Sequence, residues 1–195
     1  RRVRQLNVFC ELYSFMVKAD SLRANNIVGI IFSGGPSSVY DPSSPHVSPD
    51  VWDFINEKKL PVLGICYGMQ EIAHTFGGEV APSPEREFGR AEISIVSDDP
   101  LVQSVDHSQM WMSHGDKVTK MPEGFIKIAV TANSEHAAIA NSEKKMYGLQ
   151  FHPEVTHSIN GTQLLKNFVI SICGAPSDWN MKDIASEFIK EVREK

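Results

Sequence analysis

The chain is poor in cysteine, has no excess of positive charge and lacks any long apolar run. Its three cysteines, at 10, 66 and 173 of 195 residues, include no Cys-x-x-Cys pair. This scatter excludes a disulfide framework and a thiolate zinc site, and it fits a reducing compartment such as the cytoplasm. Lysine and arginine number 19 against 24 acidic residues, for a formal net charge of −5, which argues against a nucleic-acid surface. No run reaches the length needed to cross a membrane, and there are no repeats or low-complexity tracts. What remains is an ordinary globular composition, 42% apolar and 22% charged, long enough to bury one sizeable core.

The stretch that organises the chain runs from Leu60 to Gly78. Pro61 to Ile65 is short, apolar and β-branched, as a buried strand should be. Tyr67 to Phe76 then places Met69, Ile72, Ala73 and Phe76 at helical spacing, and Gly77-Gly78 stops the helix. Cys66 stands at the junction with Gly64 and Gly68 two residues away on either side. A turn from strand directly into helix is too tight for side chains at the flanking positions, so the glycines leave the central side chain alone at the tip. A cysteine there faces the positive end of the helix, which favours thiolate over thiol. Cys66 is therefore a candidate nucleophile, although a lone cysteine after an apolar run is also a common buried hydrophobe.

A second motif decides between these readings. Tyr147 to Phe151 reads as a strand that ends in His152-Pro153-Glu154. Positions i and i+2 of a strand share a face, so His152 and Glu154 can lie side by side. Pro153 donates no hydrogen bond and suits the mouth of a sheet. A carboxylate beside an imidazole orients the ring and steadies its charged form.

The rest of the chain alternates. Arg1 to Leu6 reads as the tail of a helix, Val8 to Leu12 as a strand, Ser21 to Asn26 as a short helix and Ile27 to Phe32 as a buried strand. Ser33-Gly34-Gly35-Pro36 turns off that strand into a proline-rich surface loop, and Val51 to Lys58 resumes helical spacing. Short connections in this order predict an α/β fold with a parallel sheet and helices on both faces. Ala91 to Val96 and Ile126 to Val130 alternate instead, which predicts antiparallel strands at the sheet edge. Asn160 to Ile172 is an amphipathic helix through Leu164, Leu165, Phe168, Val169 and Ile172. After Gly174-Ala175-Pro176, a charged helix over 183–193 reads as a connector.

GICYGMQ around Cys66, FHPE at 151–154 and SGGP at 33–36 together resemble the class I, triad-type glutamine amidotransferases. The resemblance covers nearly the whole chain. It implies a flavodoxin-like, three-layer fold with a mostly parallel central sheet and a small antiparallel edge region. The domain would span 1–173 with its first β-unit missing, and 174–195 would lead toward a synthetase domain outside this chain. The catalytic residues implied are Cys66, His152 and Glu154. Tyr67 and Gly35 would supply the oxyanion N–H donors. Glutamine would be held by Gln70, by backbone around Met112 and Ser113, and by Asp116 on the α-ammonium, within a segment (111–116) that reads as the end of a strand. His114 reads as structural. An SGG start also opens the phosphate loop of ATP pyrophosphatases, but Pro36 follows here, which disfavours phosphate binding.

The resemblance implies no metal or cofactor in this domain. ATP and Mg2+ would belong to an ATP pyrophosphatase (synthetase) partner that consumes the ammonia, and a homodimer would form through parts outside the chain. Residues 85–90 and the loop holding Thr156 and His157 are candidates for the domain contact. The fragments GMQEIAHTFGG, EREFGRAEI, WMSHGDKV and FHPEVTHSINGTQLLKNFVISIC point to one branch of the family, a nucleotide-aminating one. Glutaminases of anthranilate, aminodeoxychorismate or carbamoyl phosphate synthesis, or a non-catalytic homologue, are the alternatives.

Overall fold

The computed structural model describes residues 1–180, apart from the side chains of 84–86. The helix expected over 183–193 lies outside the described residues. In chain order the elements are helices α1 (Arg2–Gln5) and α2 (Ala19–Arg23), strand β1 (Ile30–Phe32), helix α3 (Pro49–Lys58), strand β2 (Val62–Ile65) and helix α4 (Tyr67–Thr75). Strands β3 (Glu79–Glu92), β4 (Ser94–Ile95), β5 (Gln109–Lys120), β6 (Ile126–Val130), β7 (Ala138–Asn141) and β8 (Met146–Leu149) follow. Helix α5 (Gly161–Lys166) closes the series and widens into π-type turns over Asn167–Ile172.

Six strands form the main sheet in the order β1-β2-β8-β7-β6-β4. Pairing is parallel across β1, β2 and β8 and antiparallel across β7, β6 and β4. Four of the six strands therefore run one way, as the flavodoxin-like resemblance implies. The antiparallel part is larger than an edge: β3 and β5 form a separate two-stranded ribbon.

The alternation of the buried strands builds the three layers. In β2, Val62 enters the core on one face and Leu63 and Ile65 on the other. In β8, Met146 and Tyr147 divide in the same way. One face packs against Trp52, Phe54 and Ile55 of α3 and Met69, Ile72 and Ala73 of α4. The other packs against Leu164, Leu165, Phe168 and Val169. Met69 and Ile72 are wholly buried, and each contributes about 1.5–3 kcal/mol through the area it removes from water.

Two expectations need correction. Val8 to Leu12 is extended but forms no ladder, because among the described residues β1 has a neighbour on one side only, β2. Val8 is buried, whereas Phe9 and Leu12 face solvent. The segment 111–116 does not end a strand but lies inside β5, a strand of 12 residues whose partner β3 is also long. Three half-buried positions in succession, Gly115 to Lys117, interrupt the alternation and hid this continuity from a reading by period.

Candidate active site

The turn from β2 into α4 is as tight as its glycines suggest. A Cβ on Gly64 would lie 2.4 Å from the backbone of Gly68, and one on Gly68 would lie 2.3 Å from the carbonyl oxygen of Phe32. Strand and helix can touch at this distance only without side chains. Cys66 takes up the bend itself, with φ 52° and ψ −105°, a backbone conformation that non-glycine residues rarely adopt. Its N–H donates to the Leu149 carbonyl at 2.7 Å, and its own carbonyl accepts from Gln70 N at 3.1 Å. These two bonds tie the elbow to β8 and to the first turn of α4.

His152 reaches the elbow from just beyond β8. Its Nδ1 lies 2.8 Å from Oε1 of Glu154, as the i, i+2 spacing predicts, although the two stand on a turn rather than within a strand. The imidazole is pushed up to about 10 by hydrogen bonds to Cys66 and Glu154, against the opposing effect of burial. An imidazolium between a sulfur and a carboxylate is thus the favoured state. The three-residue motif is also braced from behind. His152 N–H donates to the Trp111 carbonyl of β5 at 2.9 Å. The Ser158 hydroxyl donates to the His152 carbonyl and accepts from Trp111 N–H. The Arg2 guanidinium donates to the Glu154 carbonyl at 2.7 Å.

Cys66 and His152 open onto a cleft of about 700 Å³ that also takes in Gly35, Ser38, Tyr40, Gln70, Phe88, Ser113, His114 and Asp116. Four of the residues expected to bind or polarise a substrate therefore share the cleft with Cys66: Gly35, Gln70, Ser113 and Asp116. Met112 is buried in the core, so only its backbone can serve the cleft. Tyr67 is buried under the elbow, with its ring 3.7 Å from where a Gly35 side chain would start and its hydroxyl donating to the Pro45 carbonyl at 2.6 Å. A smaller hollow of about 450 Å³, between His46, Trp52, His74 and Phe76, holds none of the expected residues.

A model of the family described as "Glutamine amidotransferase class-I" matches residues 1–172. The chain belongs to this family. Among its relatives, "GMP synthase [glutamine-hydrolyzing]" of Treponema denticola is 46% identical over 194 residues, covering 99% of this chain and 36% of that protein. The protein of the same name from a Nitratiruptor species is 47% identical over 203 residues, covering 100% of this chain and 38% of that protein. The chain thus spans little more than a third of the curated relatives it matches. A solved structure from Thermoplasma acidophilum, described as a putative GMP synthase protein, is 25% identical, with a TM-score of 0.76, and covers 100% of this chain and 89% of that one.

The amidotransferase cleft contains residues that sequence reading passed over. Asp116 is held by the hydroxyls of Ser38, at 2.5 Å, and Tyr40, at 3.0 Å, which reach it from the proline-rich loop. That loop is itself strapped to α4, because the Val47 N–H and His46 Nδ1 bond the buried Glu71 carboxylate at 2.8 and 2.9 Å. His114 has Nδ1 2.9 Å from the Asp116 carbonyl and Nε2 3.1 Å from the buried Glu87 carboxylate, so it ties β3 to β5 as a structural histidine. Gln70 Nε2 donates to the same Asp116 carbonyl at 3.1 Å. A hydroxyl-rich loop after SGGP was the one available signal for Ser38 and Tyr40. Among the described residues no group of three or more His, Cys, Asp or Glu is placed to hold a metal ion, and no helix is long and apolar enough to cross a membrane.

Proposed function

We propose that this chain is the glutaminase part of a GMP synthase. It would hydrolyse the side-chain amide of glutamine and deliver the ammonia to a synthetase module bearing the adenylate of xanthosine monophosphate. The observation that carries the reading is that Cys66 and His152 line one cleft, with the imidazole held by Glu154 at 2.8 Å. The Cys66 thiolate adds to the amide carbon. The oxyanion points to the N–H groups of Tyr67 and Gly35. The His152 imidazolium gives its proton to the departing nitrogen, the C–N bond breaks, and ammonia leaves a γ-glutamyl thioester. Neutral His152 then takes a proton from water as it attacks the thioester, releasing glutamate and the thiolate. Glu154 keeps the ring in the tautomer that presents Nε2 to sulfur.

Asp116 pairs with the α-ammonium of glutamine, while Gln70 and the backbone of Met112 and Ser113 close the rest of the pocket. Ser38 and Tyr40 hold the Asp116 carboxylate in place. ATP and Mg2+ act on the partner module, an ATP pyrophosphatase, and the assembly works as a dimer in the cytoplasm. The relatives' printed names and the fragment WMSHGDKV support this reading over other glutaminases of the family.

The test is glutamate release from glutamine, by the chain alone and with a synthetase module supplied with ATP, Mg2+ and xanthosine monophosphate. Release that rises with the loaded partner and disappears in Cys66→Ala is expected. Release indifferent to that partner would assign the chain to another amidotransferase, and its persistence in Cys66→Ala would refute the cysteine mechanism.

A further inference from the structure

Gln150 is a wholly buried polar residue at the end of an apolar strand, and the mechanism above does not use it. Its backbone N–H donates to the Ala137 carbonyl at 2.9 Å. The side chain is not fully satisfied. Nε2 lies 3.8 Å from Cys66 Sγ, and Oε1 is buried with no hydrogen-bond partner among the described residues. A carboxamide sealed from water with one end unsatisfied destabilises the fold by about 1–3 kcal/mol relative to a satisfied one. An apolar side chain of the same shape would avoid this. The position therefore asks what the amide does at its other end.

Among the described residues, the group that Nε2 addresses there is the nucleophile. A thiol gains little from such a neighbour, because its own proton already points to the Ser113 carbonyl, 3.7 Å from Sγ. A thiolate has lost that proton and needs donors. His152 supplies one, and the carboxamide N–H of Gln150 supplies a second from within the protein, out of the cleft that substrate must occupy. A hydrogen bond to an anion is stronger than one to its neutral form. The contact thus favours the thiolate and at the same time fixes the direction of Sγ.

We propose that Gln150 is a sulfur-positioning residue, whose buried carboxamide donates to the Cys66 thiolate and holds it aimed into the cleft. The proposal rests on the Cys66 nucleophile of the reading above. It predicts a change in the acidity and rate of that sulfur, whatever the final acceptor of ammonia.

The experiment is the pH dependence of alkylation by iodoacetamide, read by mass spectrometry on the peptide that contains Cys66, so that Cys10 and Cys173 do not interfere. In Gln150→Leu, alkylation at neutral pH should slow roughly tenfold and its inflection should move up by about one pH unit, the scale of one hydrogen bond to a charged group. Gln150→Met, longer and more adaptable, should show the same change if leucine does not pack. An unaltered inflection in a folded variant would overturn the proposal. A second measurement needs no variant at position 150. In 15N-labelled protein the Gln150 carboxamide resonances should move through the same inflection as alkylation and stop moving in Cys66→Ala. Resonances indifferent to pH would overturn the proposal equally. If native Cys66 itself alkylates with the inflection of an ordinary free thiol, it is no activated nucleophile, and the underlying reading fails first and takes the proposal with it.

Discussion

Replacing Glu154 by glutamine tests the electrostatics of the site most directly. The substitution keeps the shape but removes the charge 2.8 Å from His152 Nδ1. In the native protein His152 is pushed up to about 10, first by its hydrogen bond to Cys66 and then by Glu154, while burial pulls the other way. A hydrogen bond to a charged group contributes about 1.5–3 kcal/mol. The Glu154 side chain keeps 40% of its surface exposed, so solvent screening places this bond at the weaker end, or about one pH unit. The sign follows from the direction of the shift. A histidine raised in the folded state lends stability in full below its unfolded value of about 6.5, and this is lost as pH rises toward the folded value. In Glu154→Gln the loss should still begin near 6.5 but be complete about one pH unit lower, and the alkaline limb of kcat/KM for glutamine should move down with it. At neutral pH kcat should fall by about 10²-fold, because the ring loses the partner that fixes its tautomer. The assay is an NMR titration of the His152 ring protons in both proteins beside the activity profile. A native His152 that titrates near 6.5, or one that titrates at the same pH in both proteins, would refute this reasoning.

Other perturbations probe the scaffold around the triad. Gly64→Ala and Gly68→Ala would each push a methyl group into backbone at 2.4 and 2.3 Å. Each should destabilise by more than about 3 kcal/mol, above the usual range for overpacking, as read from the denaturation midpoint. Cys66→Gly should be at least as stable as Cys66→Ala, against the usual glycine penalty of about 0.5–1 kcal/mol, because φ at 66 is 52°. A more stable alanine variant would deny strain at the elbow. Asp116→Asn should raise KM for glutamine about tenfold or more, with a much smaller change in kcat, since the loss lies in binding. Ser38→Ala and Tyr40→Phe, which each remove one hydroxyl from Asp116, should raise KM by a few fold in steady-state assays. Equal losses in kcat would place Asp116 in the chemistry instead.

The sequence by itself determined the parts whose causes are local. The strand over 62–65, the glycine-flanked turn at Cys66 and the helix from Tyr67 follow from neighbouring residues, and the structure reproduces them. The pairing of His152 with Glu154 was also anticipated from two nearby residues, although the bond forms on a turn beyond β8 and not across one face of a strand. The tertiary structure decided what depends on residues far apart in the chain. Val8 to Leu12 has the composition of a strand, yet a ladder needs a neighbour, and among the described residues none lies beside it. The long β3–β5 ribbon, the hydroxyls of Ser38 and Tyr40 on Asp116, and Arg2 on the Glu154 carbonyl join residues from 17 positions apart, Glu92 with Gln109, to 152 apart, Arg2 with Glu154. No period or spacing marks such contacts. Gln150 shows the difference most plainly. In the sequence it is one polar residue in an apolar strand, and only the packing of β8 against the elbow brings its carboxamide to the sulfur of Cys66.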